Sequence, residues 1–391
     1  MSQTWNQHVV KKENKALVLH TIKANAPISR ASVAQVTGLN KGTVSSLVSE
    51  LLDEKLINES GTGKSSGGRR PVMLLLNETA GFTISIDLGV NHILGVVTDL
   101  QGNIIHERTV QFKNDDLEIV LTHLYQLIDE LIIIIPESEY GIVGIGVGVP
   151  GVVTLEGEIQ LAPNLGWKKV ALKDILFERY RVPIIVENEA NAGAYGEKVY
   201  GAGMESTELV YASISFGIGV GLILDGKLYK GLRGFSGELG HMTIEKDGPE
   251  CRCGNKGCWE LYASEKSLLE EAEKIGFENA SVEQLVFAAE NGEAKAIQLL
   301  EKLGDYLGIG ITNILHIFNP EQVVIGNTIQ QAAKFIMPAI EKRIEKNAIG
   351  FNKNDVKLNV AKLNNHSTVM GMAAFNIESF FKSTDKEIIP T

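Results

Sequence analysis

The chain has 391 residues, 44% hydrophobic and 22% charged, which suits a soluble globular protein of two or three domains with a sizeable core. Its net charge of −11 is unevenly spread. Residues 1–76 carry ten Lys and Arg against five Asp and Glu, and the remainder carries 27 against 43, so only the N-terminal stretch is expected to meet nucleic acid. Met1 to Lys15 is polar and lacks the apolar segment of a signal peptide. The longest aliphatic run, Leu131 to Ile135, falls far short of the roughly 18–20 residues that cross a bilayer. A cytoplasmic protein with no membrane partner is expected.

Residues 11–24 read as a first helix, which Pro27 ends. Ser29 is a good N-cap for a second, Arg30 to Thr37, and Gly38-Leu39-Asn40 opens a turn. A third helix runs from about Lys41 to Glu54, with Val44, Leu47, Val48, Leu51 and Leu52 in one apolar stripe. Helix, short glycine turn, helix is the helix-turn-helix layout, whose second helix enters the major groove by its N-terminal residues. Those are Asn40, Lys41, Thr43, Ser45 and Ser46, small or polar; Ser29 and Arg30 at the start of the preceding helix complete the candidate contacts. A generic three-helix bundle would show the same periodicity. Leu56 to Ser60 and Val72 to Leu76 read as a hairpin whose Gly/Ser loop carries Lys64, Arg69 and Arg70. That loop is either a wing reaching phosphates or the minor groove, or a basic linker.

Beyond residue 80, Phe82 to Leu88, Ile93 to Asp99 and Ile104 to Phe112 read as strands. Leu117 to Ile135 is a helix, Ile142 to Val149 a buried strand and Ile184 to Glu187 another, with a helix opening at Asn188. Leu209–Ser215, Val220–Leu224 and Lys227–Tyr229 follow as strands. Helices are expected at Ser264–Ile275, Val282–Asn291, Ala294–His316, Gln331–Ala348 and Val369–Phe381, with strands at Val323–Ile325 and Val356–Ala361.

All three cysteines lie in Cys251-Arg252-Cys253-Gly254-Asn255-Lys256-Gly257-Cys258, ten residues after His241. A Cys₃His set leaves no open position on a tetrahedral zinc ion, so the metal would be structural. Gly254 and Gly257 supply the backbone angles of a tight loop. Three free, buried cysteines are the alternative. Glu238 and Glu260 flank the set, and two carboxylates with a histidine suit sugar hydroxyls, which both donate and accept; ordinary surface acids would read the same way.

The run Ile214-Ser215-Phe216-Gly217-Ile218-Gly219-Val220-Gly221, the stretch Gly231 to His241 and the cysteine loop ending at Glu260 resemble the two signatures of the ROK family of sugar kinases and repressors. The Ser-Gly-Gly-Arg-x-Pro pattern at residues 66–71 resembles the junction in its repressors. The resemblance implies an α/β fold, an N-terminal winged helix-turn-helix (1–76) followed by a two-lobed actin-like, sugar kinase-like body. The first lobe would take 77–188 plus 369–385, and the second 189–368 with the zinc loop. It implies that His241 serves both zinc and sugar, that Glu238 and Glu260 bind sugar hydroxyls, and that Asn164, Asn188, Glu189 and the backbone near Gly151 join them. Turn and cap chemistry is the plainer account of Asn164 and Asn188.

The chain departs from the family's kinases where ATP would bind. Asp87-Leu88-Gly89-Val90-Asn91-His92 stands for Asp-x-Gly-Gly-Thr-Lys, Ser215-Phe216-Gly217-Ile218-Gly219 for Gly-Thr-Gly-x-Gly, and Gly326-Asn327 for Gly-Gly. Glu189 replaces the catalytic aspartate with a side chain one methylene longer, and a displacement of order 1 Å can cost ~10²-fold in rate. No catalytic residue is assigned. The expected protein is a repressor, most like the family's xylose-responsive members from Gram-positive bacteria. It would bind a palindromic double-stranded operator as a homodimer and release it when D-xylose binds. An active sugar kinase with an appended DNA-binding domain, or a repressor answering to glucose or another sugar, is the alternative.

Overall fold

The computed structural model describes residues 7–62, 71–112, 116–350 and 356–383. Lys64, Arg69 and Arg70 lie outside them. The N-terminal part holds α1 (Gln7–Asn25), β1 (Ile28–Ser29), α2 (Arg30–Thr37), α3 (Lys41–Asp53), β2 (Ile57–Thr62) and β3 (Val72–Leu76). Ser29 and Asn40 cap α2 and α3 by accepting from Ser32 N and Thr43 N, and Gly38 closes α2 in a left-handed conformation. Val44, Leu47, Val48 and Leu51 are buried, as the stripe requires. β1, too short to stand out in the sequence, joins the hairpin as a third antiparallel strand in the order β1-β3-β2.

The body is built twice on one plan. β4 (Phe82–Leu88), β5 (His92–Asp99) and β6 (Ile104–Gln111) form an antiparallel meander. Then α4 (Leu117–Ile133) leads to β7 (Ile142–Val149) and α5 (Leu172–Tyr180) to β11 (Ile184–Asn188), both parallel to β4, in the sheet order β11-β7-β4-β5-β6. The second sheet repeats it: β12 (Leu209–Ile214), β13 (Ile218–Leu224) and β14 (Lys227–Leu228) are antiparallel. β15 (Gln322–Gly326) and β16 (Lys357–Val360) are parallel to β12, in the order β14-β13-β12-β15-β16.

Between β7 and α5 lie three short strands absent from the sequence expectation, β8 (Val152–Val153), β9 (Ile159–Ala162) and β10 (Trp167–Val170), in their own small sheet. Two to four residues give too little alternation to announce a strand. α6 (Glu189–Tyr200) follows β11. The second sheet is covered by α8 (Glu265–Lys274), α9 (Val282–Glu290), α10 (Ala294–Phe318) and α11 (Ala333–Asn347), around a core centred on Trp259, Leu307 and Ile311. α12 (Ser367–Ser383) returns to the first sheet, against β4 and β7, and packs along α6.

The N-terminal part shares a core with the body. Val18, Leu19 and Ile22 of α1 cluster with Leu100, Val143 and the α12 residues Ile377 and Phe381. Polar clasps reinforce the seam: Tyr140 donates to the Glu54 carbonyl at 2.9 Å, and Lys55 pairs with Glu139 at 2.6 Å.

Candidate functional site

Strand ends and loops from both sheets enclose a cavity of about 220 Å³. It is lined by Asn164, Asn188, Glu189, Glu238, His241 and Glu260, the six residues expected at a sugar site. Each arrives by a different local device. Asn164 lies on the β9–β10 turn. Asn188 ends β11 and caps α6, and Glu189 opens that helix. Glu238 and His241 sit on a single 3₁₀ turn, Leu239–His241 with its preceding residue. Glu260 opens the one-turn α7 (Glu260–Ala263), anchored by Trp259, whose indole N–H donates to the Tyr306 carbonyl at 2.9 Å.

These groups are not equally free. The Asn188 carboxamide is committed: its Oδ1 accepts from Ala190 N and Asn191 N, and its Nδ2 donates to the Gly151 carbonyl at 2.9 Å and to Glu189 Oε2 at 3.3 Å. Cap chemistry therefore accounts for Asn188, which positions Glu189 and Gly151. Asn164 makes no hydrogen bond among the described residues, so cap chemistry does not account for it. Its Nδ2 lies 3.4 Å from where a Cβ on Gly217 would sit.

His241 faces two ways. Nδ1 lies 3.7 Å from Cys251 Sγ, and Nε2 lies 3.9 Å from Glu238 Oε2. Ligand atoms of His241, Cys251, Cys253 and Cys258 all fall within 4.8 Å of one another, and Cys253 Sγ and Cys258 Sγ are 3.8 Å apart. A tetrahedron with Zn–S bonds of about 2.3 Å has edges of about 3.8 Å, so the set fits a four-coordinate ion. The loop needs its glycines. Gly254 and Gly257 have φ of +93° and +63°, and a Cβ on Gly257 would meet the Glu245 carbonyl oxygen at 1.6 Å. Burial pushes the Cys258 thiol up to about 11 and the Cys251 thiol higher still, with Glu260 adding to the latter. A cation at the centre would supply the charge that lets them ionise.

A second, smaller cavity of about 120 Å³ adjoins the first, and both are lined by Val90, Pro150, Glu189, Ser215 and Phe216. Its far wall is Asp87 to His92, Glu265, Asn327 and Thr328. The His92 ring lies on Gly89: a Cβ there would sit 2.4 Å from the imidazole Cε1. Gly89 N–H donates to the His92 carbonyl at 2.8 Å, closing the turn between β4 and β5. Burial holds the imidazole below its usual range, so no cation stands there at neutral pH. Burial also raises Asp87 to about 7, and burial with the Asp87 charge raises Glu189 to about 8.

Two features of this region escaped the sequence reading. Arg252 lines the large cavity, a position its two cysteine neighbours could have suggested. Lys230, on the loop after β14, reaches across to Glu187 of β11 at 2.7 Å, and Glu187 also accepts from Asn191 Nδ2 at 3.1 Å. No local signal marks that pair, whose members come from different sheets.

At the N-terminal end, Asn40, Lys41, Ser45 and Ser46 are exposed on α3 and Thr43 is half-buried. Arg30 pairs with Glu59 at 2.9 Å. Ser29 is buried, and its hydroxyl accepts from Ser32 N in capping α2. Among the described residues, no helix is long and apolar enough to cross a membrane.

The sequence model of the ROK family matches residues 83–379. The xylose repressor of Bacillus spizizenii is 44% identical over 375 residues, 96% of this chain and 97% of that protein. Among solved structures, a ROK family transcriptional regulator, a homolog of the E. coli MLC protein, superposes with a TM-score of 0.82 at 28% identity, over 95% of this chain and 97% of that one. A ROK family glucokinase from Streptomyces griseus, in complex with glucose and AMPPNP, gives 0.70 at 25% identity over 75% of this chain and 99% of its own.

Proposed function

The chain belongs to the ROK family, and on that premise we propose that it is a sugar-responsive transcriptional repressor that binds an operator of xylose-utilisation genes and releases it when D-xylose binds. Coverage carries the reading. Likeness to the Bacillus xylose repressor runs over nearly the whole of both chains, N-terminal module included, whereas likeness to the glucokinase leaves a quarter of this chain unmatched. Residues 1–76 are read as a winged helix-turn-helix, 77–188 with 369–385 as the first lobe, and 189–368 as the second.

In this reading α3 enters the major groove, with Asn40, Lys41, Thr43, Ser45 and Ser46 toward the DNA, Arg30 toward the backbone and Ser29 holding α2 in place. Two copies read a palindrome, because one recognition helix covers too few base pairs for specificity. His241, Cys251, Cys253 and Cys258 hold a structural zinc ion, which fixes the loop that aims His241 Nε2 and Glu260 at the sugar. Asn164, Glu238 and Glu189 complete the hydroxyl-binding set. Operator binding sets the protein in the cytoplasm.

The protein acts as a sensor rather than a kinase. Phosphoryl transfer needs a cradle of free backbone N–H groups and a cation for the phosphates. Here the His92 ring covers Gly89, the Gly89 N–H is taken, and the lysine of the family's kinases is a neutral imidazole.

Coupling runs along α12. At its start the Thr368 hydroxyl donates to the Glu189 carbonyl at 3.3 Å. Near its end Phe381 packs against α1, with the His20 ring edge-on at 6.2 Å. Seventeen residues make a rod of about 25 Å between the cavity and the DNA-reading module. Sugar that closes the lobes moves this rod. Swinging nearly the whole population from DNA-competent to incompetent takes a differential affinity on the order of 5 kcal/mol.

The test is operator binding by purified zinc-loaded protein at fixed salt, with DNA from beside its own gene, titrated with D-xylose, D-glucose and N-acetylglucosamine. D-xylose is expected to release the DNA. Release by another sugar would change the effector and keep the mechanism; no release, or ATP-dependent phosphorylation of a sugar, would overturn the reading.

A further inference from the structure

The loop that carries the candidate metal ligands treats its three cysteines differently. Cys258 is buried and held: its Sγ donates to the His241 carbonyl at 3.4 Å, and its backbone pairs with Thr243 in an isolated β-bridge. Cys251 is buried too. Its N–H bonds the Asn255 carbonyl at 2.8 Å, and its Sγ donates to Glu260 Oε1 at 3.1 Å. Cys253 is exposed, and it stands between the cation Arg252 and Gly254. Space is open there, since a Cβ on Gly254 would meet nothing within 4 Å. Cys253 Sγ is 3.8 Å from Cys258 Sγ, so a small movement of the exposed residue toward the fixed one reaches the ~2.05 Å of a disulfide.

Oxidation of a thiol follows its exposure and a cationic neighbour. We propose that Cys253 is a peroxide-sensitive site: a hydroperoxide oxidises it, Cys258 captures it as a disulfide, and the loop gives up its metal. The Cys253 sulfur attacks the peroxide, forming an S–O bond as the O–O bond breaks and hydroxide leaves. The Cys258 sulfur then displaces the remaining oxygen as a second hydroxide, forming the S–S bond. Two thiolates lose two electrons, the peroxide gains them, and two protons from solvent turn both hydroxides into water. His241 and Cys251 alone do not close a tetrahedron around zinc. The Cys251 thiol and His241 Nδ1 lie 3.1 and 3.3 Å from Glu260 Oε1, so that carboxylate pairs with them rather than with a sugar hydroxyl. Oxidation thereby holds the repressor on its operator while D-xylose is present. This rests on the zinc and sugar-binding readings above and adds the regulation of that site.

The reduced, zinc-loaded full chain is treated with excess hydrogen peroxide, and released zinc is read with a chromogenic chelator. Trypsin cuts after Arg252 and Lys256, so each cysteine falls in its own peptide and mass spectrometry reads the pairing. About one zinc per chain is expected to leave, with Cys253 linked to Cys258 and Cys251 left as the thiol. D-xylose affinity is expected to fall more than about a hundredfold, and D-xylose to lose its power to release the DNA. Operator binding without sugar is expected to stay within about twofold. Dithiothreitol with zinc is expected to restore zinc content and the D-xylose response, which methionine oxidation would not allow. Retained zinc, a main linkage through Cys251, lost operator binding or unchanged D-xylose affinity in the oxidised chain would overturn the inference while leaving the reduced site as described. A reduced chain that takes up no zinc would overturn the zinc reading itself. One that takes up zinc and binds no D-xylose would overturn the sugar-binding reading, before any peroxide is added.

Discussion

The two adjoining cavities share a wall, and their polar groups are paired to different degrees. In the larger, Asn164 has no hydrogen bond within the described residues and His241 Nε2 stands 3.9 Å from Glu238 Oε2, while Glu260 Oε1 accepts from Cys251 Sγ at 3.1 Å and lies 3.3 Å from His241 Nδ1. In the smaller, several groups pair within the protein while the Asp87 carboxyl is buried: Gly89 N–H bonds the His92 carbonyl, Asn327 Oδ1 accepts from Thr328 N, and Asn327 Nδ2 donates to Ser213. Unpaired polar groups around a space are costly unless a ligand or water pairs with them, and paired ones ask for nothing. On the proposed reading, the contrast separates sugar recognition, assigned to the larger cavity, from phosphoryl transfer, which the smaller one would have to support.

The largest test of this contrast removes the frame of the large cavity. Cys258→Ser, or exhaustive chelation, is expected to abolish metal content and weaken D-xylose binding by more than a hundredfold, because His241 and Glu260 lose their common anchor. Elemental analysis beside calorimetry reads both; full D-xylose affinity in metal-free protein would refute the linkage.

Removing one cavity-lining carboxylate should cost less. Glu260→Ala is expected to weaken D-xylose binding about 10–100-fold, corresponding to roughly 1.5–3 kcal/mol for a hydrogen bond to a charged group. Operator affinity without sugar should stay within twofold in the same preparation. Loss of both together would mean a folding defect instead.

The small cavity should be insensitive to sugar. His92→Ala takes the ring off Gly89, and D-xylose affinity is expected to move by less than about twofold, with a stability loss of about 1 kcal/mol from the vacated space. Saturable AMPPNP binding by the wild type at millimolar concentration would show that the second cavity is not closed.

The smallest effect is a pH dependence. Asp87 titrates near 7 in the fold, raised by burial, and near 4 when unfolded. The folded chain therefore holds an extra proton between those values, and Asp87 costs stability as pH rises through that window. Asp87→Asn is expected to melt a few degrees above the wild type at pH 8, with the gap much narrower at pH 5 and closed below about pH 4. An equal gap at both pH values would assign the effect to packing.

Much of this was legible in the chain order, and the reason is local. The second and third N-terminal helices are announced by Ser29, Gly38, Asn40 and the Val44–Leu51 stripe, and appear at Arg30–Thr37 and Lys41–Asp53. Strands Phe82–Leu88 and Ile142–Val149 fall where their apolar runs lie. The metal set lies within eighteen residues, so its spacing nearly fixes its geometry. The short strands β8, β9 and β10 were not legible, because pairing with one another, rather than any pattern of their own, makes them strands.

What tertiary structure decided is convergence. Asn164, Glu189 and Glu260 come from separate turns and helix starts, and only the folding of one sheet against its repeat brings them around one space. The same folding bound Asn188 Nδ2 to the Gly151 carbonyl, buried the Ser29 cap and drew Lys230 to Glu187. Residue type and spacing state which bonds a side chain can make. Which of them remain open to a ligand depends on neighbours far away in the chain, and the fold alone supplies those.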